Sequence, residues 1–153
     1  MTRCSVLVVG AGNAYRRDDG AGLAVASRLQ ALLTDVRVLV TNGDAVSLLD
    51  EWQGADAVIV VDATMSGARP GTVRRHEALN GPLPAGFSRS STHALGIHEA
   101  IELARTLGRL PRRLLVFGIE GGDFTASEGL SPEVDAAVDE VVALAAAEVS
   151  GGV

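Results

Sequence analysis

Short apolar runs closed by glycine or aspartate alternate along the chain with longer stretches in which apolar residues recur every third or fourth place. Residues 6–9, Val-Leu-Val-Val, form the first run and end at Gly10-Ala11-Gly12, which predicts a buried strand. Residues 19–33 predict a helix, with Ala21, Leu23, Ala24, Val25, Leu29 and Leu32 on its apolar face. Residues 36–40 read as a second strand, and Asp44 as the cap of a short helix through Trp52. Residues 57–61, Ala-Val-Ile-Val-Val, form the third buried strand, which ends at Asp62. Pro70-Gly71 marks a turn into a polar strand over 72–77, whose Arg74 and Arg75 suit an edge. Residues 81–91 read as loop, and Thr92-His93 opens a helix to about Gly108. Residues 114–117 form another buried strand, ending at Gly118, and Gly121-Gly122-Asp123 is loop. Ser131-Pro132-Glu133 starts the last helix with a serine cap, proline at the first position and acid in the first turn.

Strands alternating with helices predict an α/β fold of three layers. Its centre is a twisted, mostly parallel sheet of about five strands with one antiparallel edge strand and helices on both faces. No repeat, low-complexity segment or linker divides residues 1–153, so one domain is expected, with 150–153 as a frayed tail. In such sheets the functional crevice lies beyond the carboxyl ends of the strands, near a topological switch point.

Composition narrows the chemistry. Hydrophobic residues make up 47% of the 153 and aromatics only 3%, so the core is aliphatic. The net charge of -6 argues against a nucleic-acid partner, whose binding face is normally basic. All 13 basic residues are arginine. That excludes a P-loop lysine, a lysine Schiff base and a lysine general base. The single cysteine, Cys4, excludes an internal disulfide and reads as a small hydrophobe beside the first strand. The first apolar run is too short for a signal sequence, and no window approaches ~18 uninterrupted apolar residues. A cytoplasmic location without membrane attachment is expected.

The first loop invites comparison with a dinucleotide-binding fingerprint, but Tyr15 stands in the third glycine's place. The carboxylates of Asp18 and Asp19 also fall where a pyrophosphate would meet a helix N-terminus. Asp18 is readily explained as a cap for free amides. Asp19, Asp62 and His93 each follow a strand or open a helix on one rim. Two carboxylates and an imidazole suit a borderline divalent ion and leave positions open for another molecule's ligands. Other chemistries are poorer. Gly86-Phe87-Ser88-Arg89-Ser90 misses the nucleophile elbow in pattern and in context. His98 follows His93 by five residues and diverges from it around a helix, and His76 falls on the presumed edge strand, exposed to solvent. Glu120 and Asp123 either border the site, bind a partner or shape turns.

At these residues the chain resembles the hydrogenase maturation proteases. The similarity begins with "GAGNAYRRDDGAG", like that family's G-x-G-N followed by D-[DE]-x-x-G. It continues through "VDATMSGARPGTV", "STHALGI", "GIEGGDF" and "GLSPEV", in order over essentially the whole chain. After the second strand Thr41 and Asn42 replace the first two places of a frequent acid-Gly-Gly run, and the acid comes later, at Asp44. The resemblance implies a hydrolase: an aspartate- or metal-type endopeptidase without a serine or cysteine nucleophile. Its substrate is the [NiFe]-hydrogenase large-subunit precursor, whose C-terminal extension it removes after nickel insertion. It implies Asp19, Asp62 and His93 as ligands of nickel supplied with that precursor, other divalent ions standing in for it in the isolated protein. Asp18 is a candidate helper that orients ligands or acts as base. Two other classes stay open: a non-catalytic nickel-checking scaffold with the same ligands, and a small nucleotide-binding enzyme.

Overall fold

A computed structural model of the chain describes residues 5–41, 45–84 and 96–151. The five strands are β1 (Val6–Ala11), β2 (Arg37–Thr41), β3 (Ala57–Thr64), β4 (Val73–Glu77) and β5 (Arg113–Glu120). The helices are α1 (Ala21–Leu32), α2 (Ala45–Glu51), α3 (Ile97–Leu107) and α4 (Pro132–Ser150), with short 3₁₀ turns at Arg17–Gly20 and Ala78–Asn80. The sheet order is β2-β1-β3-β5-β4. β1 pairs in parallel with β2 and β3, β3 in parallel with β5, and β4 closes the sheet antiparallel to β5. The expected three-layer α/β architecture with an antiparallel edge is therefore the observed one.

Alternation along the central strands sorts the core into two halves. Leu7, Val9, Val58, Val60, Leu114 and Val116 pack with residues of α2 and α3 and with Trp52. Val8, Ile59, Val61, Leu115, Phe117 and Ile119 pack with α1 and α4 on the opposite face. β1 and β3 are buried at every position and β5 at every position after Arg113, as expected of strands covered on both faces.

The structure moves several predicted boundaries. β3 does not end at Asp62 but continues to Thr64, because β5 keeps pairing with it: Asp62 faces Gly118 and Thr64 faces Glu120. For the same reason β5 runs past Gly118 to Glu120. The helix expected from residue 19 is split into the Arg17–Gly20 turn and α1 proper. α3 has Gly96 as its N-cap, and its Glu99 carboxylate accepts the Gly96 amide at 3.0 Å. The expected start at Thr92-His93 lies outside the described residues, as do Cys4, the Asp44 cap and Gly86 to Ser90. Ser150 is the last residue of α4 rather than part of a frayed tail, and the Gly151 amide donates to the Ala147 carbonyl. His76 is not freely solvated: it is half-buried, with Nε2 3.1 Å from the Gly81 carbonyl oxygen.

Candidate active site at the carboxyl rim of the sheet

From β1 the chain turns to β2 on one side, then crosses back to β3 on the other. The switch point therefore lies between the carboxyl ends of β1 and β3, where an open α/β sheet forms its crevice. Asp19 arrives there from the loop after β1, and Asp62 stands on β3 itself. The 3₁₀ turn that carries Asp19 lies against β3. Asp19 is 1% exposed and Asp62 5% exposed. Asp62 shares the sheet face of Val58 and Val60, toward α2 and α3, and its Oδ1 accepts the Ala63 amide at 2.8 Å.

Two glycines bring these elements together. A Cβ on Gly22, in the first turn of α1, would stand 2.3 Å from the Val61 carbonyl oxygen and 2.5 Å from that of Ala11. A Cβ on Gly10 would stand 2.4 Å from the Gly22 carbonyl oxygen. The first turn of α1 thus presses directly onto the ends of β1 and β3. This contact explains Gly22 and also Gly10, which a phosphate-binding reading would assign to a nucleotide.

Asp18 is fully buried, and its carboxylate turns away from α1, whose N-cap Gly20 makes no side-chain cap bond. Oδ2 accepts the amides of Gly122 at 2.8 Å and Asp123 at 2.9 Å. Oδ1 accepts the Ser131 amide at 2.8 Å, and the Ser131 hydroxyl donates to the carboxylate at 2.9 Å. Burial alone would raise this carboxyl, but the three amides and the hydroxyl outweigh it and hold its pKa below the ordinary value. The capping role expected of Asp18 is real but remote. It serves the start of α4, 113 residues away, and Ser131 gives its hydroxyl to Asp18 instead of capping its own helix.

Backbone contacts extend this junction. The Arg17 amide donates to the Ser127 carbonyl, the Asp18 amide to that of Asp123, and the Ser127 amide to that of Tyr15. Arg17 Nε lies 3.1 Å from Asp123 Oδ2. Thr125 donates its amide and hydroxyl to Asp123 Oδ1, and these bonds, followed by the Arg17 charge, lower the Asp123 pKa despite slight desolvation. Glu120, 3% exposed, closes a second junction. It accepts the hydroxyls of Thr64 at 2.8 Å and Ser66 at 2.7 Å, and the amides of Ser66 and Gly67. Turn chemistry therefore accounts for Glu120 and Asp123. The alternation of strand and loop gave the position of both acids, but the distant amides they accept leave no local sequence signal.

The structure brings Asp19 and Asp62 to one rim. His93 precedes the α3 N-cap Gly96 by three residues and lies outside the described residues. Among the described residues no group of three or more His, Cys, Asp and Glu side chains is placed to hold a metal ion. No helix among them is long and apolar enough to cross a membrane.

The family model for the hydrogenase maturation proteases, HycI type, matches residues 23–148. The chain belongs to the hydrogenase maturation protease family. It is 32% identical over 146 residues to the hydrogenase expression/formation protein HupD of Thiocapsa roseopersicina, covering 92% of this chain but 65% of that protein. It thus spans just under two thirds of that relative. The hydrogenase 2 maturation protease of Escherichia coli K12 is 30% identical over 155 residues, with 95% of this chain and 92% of the relative covered. Among solved structures, the hydrogenase maturating endopeptidase HybD of E. coli superposes with a TM-score of 0.79 at 28% identity, covering 96% of this chain and 94% of that one. HybD of Thermococcus kodakarensis, at 24% identity and a TM-score of 0.70, shares the fold.

Proposed function

We propose that this protein is an endopeptidase that removes the C-terminal extension of a [NiFe]-hydrogenase large-subunit precursor after nickel has been inserted. The observation that carries the proposal is the arrival of two buried carboxylates, Asp19 and Asp62, at the β1/β3 switch point of a chain from this family. Their oxygens, with the imidazole of His93, make a mixed donor set suited to a borderline divalent ion. The ion is read as nickel carried by the precursor, so that only a loaded substrate completes the shell. In the cut itself, nickel in the substrate would supply Lewis-acid polarisation of the scissile carbonyl; water adds to its carbon, the C–N bond breaks, and the leaving amine takes up the proton that water releases.

The chain's own residues have separable tasks in this reading. Asp19 and Asp62 bind and orient the loaded precursor. Asp18 is a positioning residue rather than a base. Four donors already hold its carboxylate, and its lowered pKa makes it a weak proton acceptor. It fixes the turn that carries Asp19.

The test is to incubate the purified protein with nickel-loaded and nickel-free precursor and weigh the products by mass spectrometry. Loss of one C-terminal peptide from the loaded form alone is the expected result. Binding of the loaded form with no change in mass would replace the endopeptidase reading with that of a nickel-checking scaffold.

A further inference from the structure

Asp62 and the two residues after it in β3 run on beyond the last rung that β3 shares with β1. That rung is Gly10 with Val61, whereas β5 goes on pairing with β3 through Asp62, Ala63 and Thr64. From Asp62 onward it is therefore β5 that carries β3. Gly118, which faces Asp62 across this ladder, brings no side chain. Two rungs further on, the Thr64 hydroxyl donates to Glu120 Oε1 at 2.8 Å, and both residues are buried. By the alternation of a strand, Thr64 projects from the same face as Asp62.

Glu120 is itself anchored. Its amide donates to the Thr72 carbonyl at 2.9 Å, and its carbonyl accepts the Gly71 amide at 2.8 Å. Its carboxylate also gathers the Ser66 amide and hydroxyl and the Gly67 amide, which closes the turn that leaves β3. The residues that follow reach the other acid. The Gly121 amide donates to the Thr64 carbonyl at 3.0 Å, and a Cβ on Gly121 would stand 3.0 Å from Asp18 Cβ. The amides of Gly122 and Asp123 then hold the Asp18 carboxylate, and the Asp18 amide donates to the Asp123 carbonyl. Four consecutive residues, 120–123, thus tie the overhang that bears Asp62 to the turn that bears Asp19. Groups that orient ligands in this way commonly contribute about 10–100-fold to affinity or activity.

We propose that Glu120 is a positioning residue for Asp62, and that residues 120–123 are the brace that sets the separation of the Asp62 and Asp19 carboxylates. The part this plays in catalysis rests on the endopeptidase reading above. Glu120 takes no share in bond making; it acts through Thr64 and the end of β3.

The experiment compares Thr64→Val, Thr64→Ser, Glu120→Gln, Asp18→Asn and the double variant Glu120→Gln/Asp18→Asn with the wild type, well below each melting point. The probe is nickel-loaded large-subunit precursor. Kd is read by calorimetry, kcat and KM from cleavage, and the Asp19–Asp62 carboxylate separation from crystal structures of the wild type, Thr64→Val and Glu120→Gln. Thr64→Val keeps the shape but loses the hydroxyl. It and Glu120→Gln are expected to weaken Kd and kcat/KM about tenfold in fully folded protein and to alter the separation. Thr64→Ser, which keeps the donor, returns wild-type values. The double variant falls short of the product of its single effects, because breaking the brace at either end already frees the two acids. Wild-type Kd and kcat/KM in folded Thr64→Val and Glu120→Gln, with the separation unaltered, would overturn the proposal. If the wild type binds without cleaving and these variants lose affinity, the brace stands and the endopeptidase reading fails. If the wild type does not bind the loaded precursor, that reading fails and the crystal structures decide the brace: a changed separation upholds it and an unchanged one overturns it.

Discussion

The two ends of the sheet hold their carboxylates by different means. At the carboxyl ends of the strands, Asp18 and Glu120 are buried and held by backbone amides and hydroxyls, while the more exposed Asp123 beside them pairs with Arg17. At the other end, acids meet arginines near solvent. Glu148 of α4 accepts Arg75 Nη2 and Arg113 Nη2, each at 2.8 Å, and Glu77 lies 3.2 Å from Arg113. Asp56 there accepts the Ser5 amide in an exposed contact. Amides on a packed backbone fix an oxygen's position, whereas long arginine side chains at the surface yield and are screened by salt. Fixed carboxylates belong where geometry serves a reaction, and yielding ones where only adhesion is needed.

Four measurements can break or sharpen this contrast. The largest effect is expected at the switch point. Asp19→Ala and Asp62→Ala each reduce precursor processing to the limit of detection while circular dichroism reports a folded protein. Full processing by either variant removes that residue from the site. Next, Gly22→Ala forces a methyl against the Val61 and Ala11 carbonyls, and overpacking of this kind costs about 1–3 kcal/mol. Because α1 must lift from the strands that present the acids, urea denaturation and processing should both suffer. Asp18→Asn keeps the volume but offers one acceptor oxygen to donors that hold two. It should lower stability by about 3 kcal/mol, since bonds to a charged group contribute about 1.5–3 kcal/mol each.

The smallest effect is expected at the opposite end. Glu148→Gln should cost about 1 kcal/mol at neutral pH, and less in high salt. Burial raises the Glu148 carboxyl, but Arg75 and then Arg113 outweigh it and lower the pKa below 4.5. A folded pKa below the unfolded one gives stability that is present above about pH 4.5 and is lost as the pH falls through the folded value. The wild type and Glu148→Gln should therefore converge in acid. Equal salt dependence of Asp18→Asn and Glu148→Gln would erase the distinction between the two ends.

The repeating patterns were the most legible part of the chain. Uninterrupted apolar runs gave the buried strands, the arginine-bearing run gave the antiparallel edge, and Pro132 marked the start of α4. Strand ends were misread where a ladder continues past a polar or small residue: Asp62 and Gly118 look like terminators, yet they face each other in a pairing that extends to Thr64 and Glu120. The positions of Asp19 and Asp62 followed from their place after strands. The partners of Asp18 did not, because no local pattern links Asp18 to Ser131 across 113 residues. Glycine was ambiguous for a related reason. Gly10 and Gly22 answer to a helix pressed on strands, and a loop that cradles phosphate uses the same residue for the same steric reason.

That long-range tie also orders events during synthesis. A growing chain that has emerged only through Asp123 already contains both switch-point acids and the amides of Gly122 and Asp123, but the amide and hydroxyl of Ser131 are still to come. The turn before α1 then lacks two of its four anchors, and the loop that carries Asp19 is not fully tied down until the last helix has docked.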